Sequence, residues 1–223
     1  HFNKNYLNYT GGATDFLGFD DGSRKNTIAN TFLGNTFDPR LNPSETGLSV
    51  INRISNQFDP QMAPKQANSG MNYGLGISYG NQYNFENGHQ FGVLGSLSYK
   101  NEQSLYENTQ DNIYNYNPIK TEFAFEENRI QTGTIGGQNV IASGLLGLTY
   151  KTLNSKIKLN GLHIQNGEST AGSFRQLTRF SDFIDFNKFN LEYNERSISN
   201  AMLSGLHSFE DSNLKLEWTL SGT

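Results

Sequence analysis

The sequence predicts an all-β protein that forms part of an antiparallel transmembrane β-barrel. Polar and apolar residues alternate along six stretches of chain, and short connections between these stretches alternate with long ones. The composition, with 23 Gly, 11 Tyr and 16 Phe, suits closely packed strands with aromatic residues at membrane interfaces. A barrel also tolerates the low mean hydropathy of -0.61, because every second residue of its strands faces a wet lumen.

The alternation is clearest at residues 73–79, where Tyr73, Leu75, Ile77 and Tyr79 are separated by Gly and Ser. The last stretch repeats this pattern, with apolar residues at 214, 216, 218 and 220 opposing Lys215 and Glu217. We predict six strands that pair with their neighbours in chain order, at 70–82, 89–101, 139–151, 156–166, 199–209 and 213–222.

The connections between the predicted strands fall into two classes. The short ones are expected to be tight turns, at 84–88, 153–155 and 210–212, and the first contains an Asn-Gly pair. The long ones are expected to be loops, at 10–69, 104–138 and 166–187. Membrane barrels have this asymmetry, with the long loops outside the cell, whereas loops above about 15 residues are uncommon in soluble domains.

About seven strands are expected when a remnant at residues 1–9 is counted, and seven cannot close a bacterial barrel. An open sheet edge in hydrocarbon would leave unpaired N–H and C=O groups at a cost of several kcal/mol each. Both ends of the chain also look cut, since it starts without Met and stops inside an alternating run. We therefore expect residues 1–223 to be the N-terminal part of a barrel whose remaining strands lie outside this segment.

Three local features are also predicted. A helix is expected near residues 46–56, where apolar residues recur at helical spacing. A β-bulge is expected near Glu195, where the apolar positions change parity. An aromatic girdle at the membrane interface is expected from four residues on the apolar faces of their strands: Tyr79, Tyr99, Tyr150 and Trp218.

Composition argues against several functional classes. The absence of Cys removes disulfides, thiolate metal sites and cysteine nucleophiles. The net charge of -4 and the scattered Lys and Arg do not form the basic stripe that nucleic acid requires. The sequence also lacks the roughly 18 consecutive apolar residues that a membrane-spanning helix needs.

Neither a metal site nor catalysis is expected. The four His lack the spacing of metal ligands, and no nucleophile and base stand in a recognisable arrangement. Glu126-Glu127 and Asp182 with Asp185 are interpreted as solvated loop carboxylates rather than a catalytic pair. Asp20-Asp21-Gly22 resembles a fragment of a calcium loop, but the other ligands are missing and a turn is favoured. We therefore predict no catalytic residues, no metal and no cofactor.

One string of residues carries a resemblance to a known family. Residues 11–24, GGATDFLGFDDGSR, contain Asp-x-Leu-Gly-x-Asp-Asp-Gly-x-Arg, and further resemblance lies at 95–103, 144–151, 193–197 and 203–207. In these segments, and in their order, the chain resembles TonB-dependent outer-membrane receptors of the subgroup with a carboxypeptidase-regulatory-like N-terminal domain. The resemblance extends over nearly the whole chain.

The resemblance implies a barrel of about 22 strands in the bacterial outer membrane, closed by a plug domain. Such receptors take up a nutrient, with energy supplied through TonB. The expected partners are outer-membrane lipid, TonB through parts of the protein outside this segment, and a substrate-binding lipoprotein on the cell surface. On this interpretation Asp15, Asp20, Asp21 and Arg24 contribute to the outer rim of a ligand site, although turn formation explains the same residues.

Two other functions remain open at this point. The first is a passive, porin-like barrel, which a plug domain upstream of His1 would argue against. The second is a structural barrel, such as an adhesin or a component of a secretion assembly, which would be bound to partner chains with an unused lumen. A barrel enzyme is a third class, for which the sequence offers no nucleophile and base.

Overall fold

The computed structural model of the protein describes residues 4–24, 61–119, 125–179, 183–209 and 213–223, together with Asn52 and Asn56. Apart from one 3₁₀ turn at Asp15–Leu17, the regular structure in these ranges is essentially all β. Its strands are β1 (Tyr6–Asn8), β2 (Lys65–Ala67), β3 (Tyr73–Asn84), β4 (Gln90–Tyr116), β5 (Phe125–Lys151), β6 (Ser155–Arg179), β7 (Phe183–Phe209) and β8 (Leu214–Gly222). The predicted all-β class is confirmed.

Strands β3 to β8 form one six-stranded antiparallel sheet in which every strand pairs with the next along the chain. This confirms the six predicted strands and their order. The first turn is tight, since the Phe85 N–H donates to the His89 carbonyl over 2.8 Å and Gly88 has a φ of 78°. That positive φ explains why an Asn-Gly pair lies here, because Gly adopts it without steric cost. The predicted turn at 210–212 lies outside the described residues.

The predicted loops at 104–138 and 166–187 are wrong, because most of these residues belong to strands. Strand β4 continues to Tyr116 and β5 already begins at Phe125, while β6 and β7 are separated only by residues 180–182. The physical reason is that alternating hydropathy reports one buried or lipid-like face, whereas strand pairing needs only backbone hydrogen bonds. Where both faces become polar the alternation fades, and the ladder continues.

The bulge predicted near Glu195 is also wrong, because β6 and β7 keep one register from Ser155 and His207 to Arg179 and Phe183. Two irregularities instead lie between β4 and β5: the register shifts after Tyr106, where Asn108 has a φ of 56°, and again after Ile113. The helix predicted at 46–56 falls outside the described residues, except for the hydrogen bond from the Asn56 N–H to the Asn52 carbonyl, 3.0 Å.

Residues that are directly opposed in an antiparallel sheet share a face, so the registers assign every side chain of the sheet to one of two faces. Near the turn between β3 and β4, one face is aliphatic and aromatic, and we call this region the apolar band. Its aliphatic members are Leu75, Ile77, Val93, Leu97, Leu146, Leu148, Leu159, Leu203 and Leu220. The opposite face, here called the polar face, carries Ser, Gln, Asn and Lys at the same level, and Lys215 and Glu217 lie on it as predicted. It is not polar throughout, because Leu94, Leu145, Leu162 and Met202 belong to the same face.

The remnant at residues 1–9 does not join this sheet, which corrects the count of seven barrel strands. Strand β1 pairs with β2 in a separate two-stranded sheet. The N-terminal segment, residues 4–24, packs on the same face as the apolar band but farther along β5 and β6. Its Tyr6 and Leu7 are buried, 3% and 7% exposed, where β1 contacts β5 and β6. The Leu7 backbone lies directly beside Gly136 of β5.

The six-stranded sheet is open within the described residues, because β3 and β8 each pair along one side only. Strand β4 has 27 residues and is therefore about 90 Å long, well beyond the roughly 9 to 11 residues with which a tilted strand crosses a membrane. The same strands therefore carry two surfaces in succession: the apolar band near the turns and, farther along, the surface on which residues 4–24 pack.

Docking of the N-terminal segment depends on a close backbone approach at Gly167, which generates a prediction. A Cβ at Gly167 would lie 2.6 Å from the Gly18 Cα, whereas a Cβ at Gly161, on the same strand and face, meets nothing within 4 Å. We expect Gly167→Ala to cost about 1 to 3 kcal/mol of docking free energy through overpacking. Hydrogen exchange of residues 4–24 should therefore accelerate in Gly167→Ala and stay unchanged in Gly161→Ala. Equal protection in both variants would contradict the close approach.

Candidate functional site

The four residues singled out from the sequence lie together in the loop that follows β1. Asp15 begins the 3₁₀ turn, Asp20 and Asp21 follow it, and Arg24 folds back over the turn. The predicted grouping in one loop is therefore present, and Arg24 is its centre.

Arg24 holds the loop together through a two-pronged ion pair. Its Nη1 donates to Asp15 Oδ1 over 2.8 Å and its Nη2 to Asp15 Oδ2 over 2.5 Å. Nη1 also donates to Asp20 Oδ1 over 3.2 Å. Such forked pairing matches the planar guanidinium to the two oxygens of a carboxylate, a geometry that Lys cannot reproduce.

Two tyrosine rings enclose the same guanidinium. The Arg24 Cζ lies 4.8 Å from the ring centroid of Tyr9 and 4.0 Å from that of Tyr193 on β7. The rings leave the Arg24 side chain only 8% exposed. Cation–π contacts strengthen when the cation is desolvated in this way.

Burial and charge act in opposite directions on these groups. Burial alone would lower the pKa of Arg24, but the hydrogen bonds and the negative charge of Asp15, aided by Asp20, raise it above its usual value. Burial raises the pKa of Tyr193 to about 12, and the nearby Asp15 charge contributes to this shift. Arg24 is therefore charged and Tyr193 neutral at any physiological pH.

Asp21 has a different role from the other two aspartates, because it caps its own loop. Its carboxylate accepts hydrogen bonds from the backbone N–H groups of Ala13, 2.9 Å, and Ser23, 3.0 Å. Hydrogen bonding from Ser23 lowers the pKa of Asp21. Such side-chain-to-backbone bonds are the usual reason for Asp in turns.

The loop is fastened to the sheet by residues that the sequence analysis did not single out. Gln165 on β6 is 1% exposed, and its Nε2 donates to the Gly18 carbonyl over 2.7 Å and to Glu195 Oε1 over 3.0 Å. The second oxygen of Glu195 accepts from the Asp20 N–H over 2.9 Å. The sequence offers no local signal that separates these two residues, because His163, Ser169 and Ser199 are polar residues on the same parity.

The string Asp-x-Leu-Gly-x-Asp-Asp-Gly-x-Arg thus has a structural explanation. Its first Asp and last Arg pair, its second Asp supports Arg24, and its third caps the loop. Gly18 has a φ of 82° where the backbone meets β6, a conformation that favours Gly. Both carboxylate oxygens of Asp15 already accept hydrogen bonds from Arg24. A contribution of these four residues to ligand binding stays a prediction.

The apolar band is the second candidate surface. Aromatic side chains border it at the turn end, where Tyr83, Phe91, Tyr150 and Trp218 belong to one row of cross-strand neighbours that continues through Ile157 and Gly205. At the far end, Tyr73 and Tyr99 have ring centroids 5.8 Å apart. Of the four residues predicted to form a girdle, Tyr150 and Trp218 lie in the turn-end row, Tyr99 lies at the far end, and Tyr79 lies within the band.

Most of the aliphatic side chains between these two ends are exposed, and Val93, Leu148 and Leu203 are half-buried. Leu97 is 64% exposed and Ile77 is 71% exposed. The band extends from β3 across the sheet to β8. An apolar surface of this extent marks a contact with membrane or protein.

Within the described ranges, no cluster of three or more His, Asp or Glu side chains has a geometry that could hold a metal ion. In the same ranges, no helix has the length and apolar character needed to cross a bilayer.

Comparison with protein-family models gives no match, and neither does comparison with curated proteins or with solved structures.

The Arg24 cluster generates the second prediction. Arg24→Lys keeps the charge but loses the forked pair and the planar stack, and it should weaken docking of residues 4–24 by about 1 to 3 kcal/mol. Tyr193→Phe is the matched control, because it keeps the ring while removing a buried hydroxyl that has no hydrogen-bond partner in the described structure. Limited proteolysis within residues 10–24 should accelerate for Arg24→Lys alone. If Tyr193→Phe were cut equally fast, the ring stack would not be what holds Arg24.

Proposed function

We propose that this chain is part of an outer-membrane β-barrel that takes up a nutrient through a plugged lumen with energy supplied through TonB. The observation that carries the membrane part is the apolar band: one face of a six-stranded antiparallel sheet is aliphatic between two aromatic borders. A barrel strand in lipid requires this division, with apolar side chains outward and polar ones toward the lumen.

The depth of the band supports the same proposal. On β4 the apolar parity extends from Phe91 to Tyr99, close to the roughly 9 to 11 residues that a tilted strand uses to cross a bilayer. Beyond Tyr99 the same face becomes polar and is occupied by the N-terminal segment. In the core of a soluble β-sandwich, the apolar face would instead extend along the full length of the paired strands.

The open edges of the sheet support a larger barrel. Strands β3 and β8 each have one unpaired side within the described residues, and unpaired backbone groups cannot remain in hydrocarbon. Further strands must therefore complete the barrel if the band lies in lipid. The role of a plug and of TonB rests on the resemblance at residues 11–24 alone.

The lipid contact can be tested by matched arginine substitutions on adjacent residues of β4. Leu97→Arg should destabilise the full-length protein in lipid by about 2 to 4 kcal/mol, because Leu97 lies mid-band, whereas Ser96→Arg faces water and should be tolerated. Leu216→Arg should cost less than Leu97→Arg, because Leu216 lies on the turn side of the Trp218 row. Refolding titrations into vesicles measure all three. A greater loss for Ser96→Arg than for Leu97→Arg would reverse the assignment of faces.

Transport through TonB can be separated from passive passage. In cells that express the full-length protein, we expect uptake of its nutrient to stop when TonB is deleted, while the amount of folded protein in the outer membrane stays unchanged. Uptake that continues without TonB would favour the porin-like alternative. The absence of any uptake, together with stable partner chains, would favour a structural barrel.

A further inference from the structure

The polar face carries a concentration of positive charge close to the turns. Lys151 on β5 and Lys156 on β6 are direct cross-strand partners, and Lys158 lies on the same face two residues farther along. Like charges opposite one another destabilise a sheet. Within the described residues, neither Lys151 nor Lys156 forms an ion pair.

These two lysines border a cavity of about 380 Å³, which we call the lysine hollow. Gly92 and Gly147 leave its floor without side chains, and the walls combine amide and hydroxyl groups with the apolar residues Val93 and Leu94. The polar residues that line it are Asn81, Gln82, Gln90, Thr149, Lys151, Lys156 and Asn160. None of the residues that line the hollow is acidic. On its other side, Lys156 borders a smaller cavity that includes Glu217, with which it forms no ion pair in the described structure.

We propose that the lysine hollow binds a small anion of the phosphate or carboxylate class. Two ammonium groups supply the charge-assisted hydrogen bonds that such oxygens accept, and the surrounding amides can donate further bonds. A bound anion would also remove the repulsion between Lys151 and Lys156. Both lysines lie on the polar face of the sheet. The inference rests on the proposed function in one respect only: a barrel would turn this face toward the lumen.

Lys100 provides a matched control on the same face. Its Nζ lies 2.7 Å from Glu102 Oε1, so its charge is already paired. Lys100 is opposite Gly74, at the end of β3 away from the turn. Nonspecific screening of positive charge by an added anion would change the acetylation rate of Lys100 as much as those of Lys151 and Lys156. Binding in the hollow would change only the rates of Lys151 and Lys156.

The experiment measures acetylation rates of individual lysines by mass spectrometry, in the full-length protein in detergent micelles. Inorganic pyrophosphate is the first probe and citrate the second, at constant ionic strength. Acetylation of Lys151 and Lys156 should slow about tenfold at saturation with at least one probe, as for a charge-assisted contact, while Lys100 keeps its rate. Lys156→Gln should weaken binding about tenfold and Lys156→Arg should retain it.

Three outcomes would overturn the proposal. Equal slowing at Lys100 would mean an adventitious ion only, and no slowing with either probe would exclude the site at the concentrations used. Slow acetylation of Lys151 and Lys156 before any anion is added would mean that another part of the protein covers them. Each of these results is independent of the refolding of Leu97→Arg, so the site and the membrane contact can fail separately.

Discussion

The register that strands β5 to β7 keep without a break is the constraint on which the rest of the structure depends. From β5 to β7 each residue keeps one cross-strand partner, so the parity of a position fixes its face along more than 20 residues. A shift of one residue would exchange the apolar and polar faces completely. The two irregularities of β4, after Tyr106 and after Ile113, lie in its half away from the turn, beyond the apolar band, and therefore leave that surface intact.

The same face changes its chemistry where the apolar band ends. Leu146 and Leu159 lie inside the band, but the next levels of β6 and β7 present Gln165 and Glu195. A polypeptide segment that packs here brings backbone N–H and C=O groups, which must find partners when water is removed. Gln165 and Glu195 supply these partners, and Arg24 is stabilised because Asp15, Asp20 and two rings replace its water. The N-terminal segment thus docks where the sheet offers polar groups in a partly buried setting.

The strands and their order could be predicted from the sequence because alternation reports a face that excludes water. Leu97 and Leu148 carry that signal directly. The continuation of β4 to Tyr116 and of β6 to Arg179 could not be predicted, since both faces are polar there and only backbone pairing identifies a strand. The bulge expected at Glu195 had the same origin. Tyr193 and Leu203 share one face of β7 in an unchanged register, and Ile198 is an exposed apolar residue on the opposite face, so its parity does not indicate a bulge.

The grouping of Asp15, Asp20, Asp21 and Arg24 could be anticipated from their spacing in one loop, whereas Tyr193, Gln165 and Glu195 could not, because they are more than 140 residues away along the chain. Their arrangement has a consequence for the proposed transport. The docked loop shares its face with the apolar band. If that face is in lipid, residues 4–24 lie against the outer wall of the barrel beyond the membrane, while a ligand in the lumen meets the opposite face. The Arg24 cluster then attaches residues 4–24 to the outer surface of the barrel. A transported ligand would instead contact the side chains of the polar face, including its lysines near the turns.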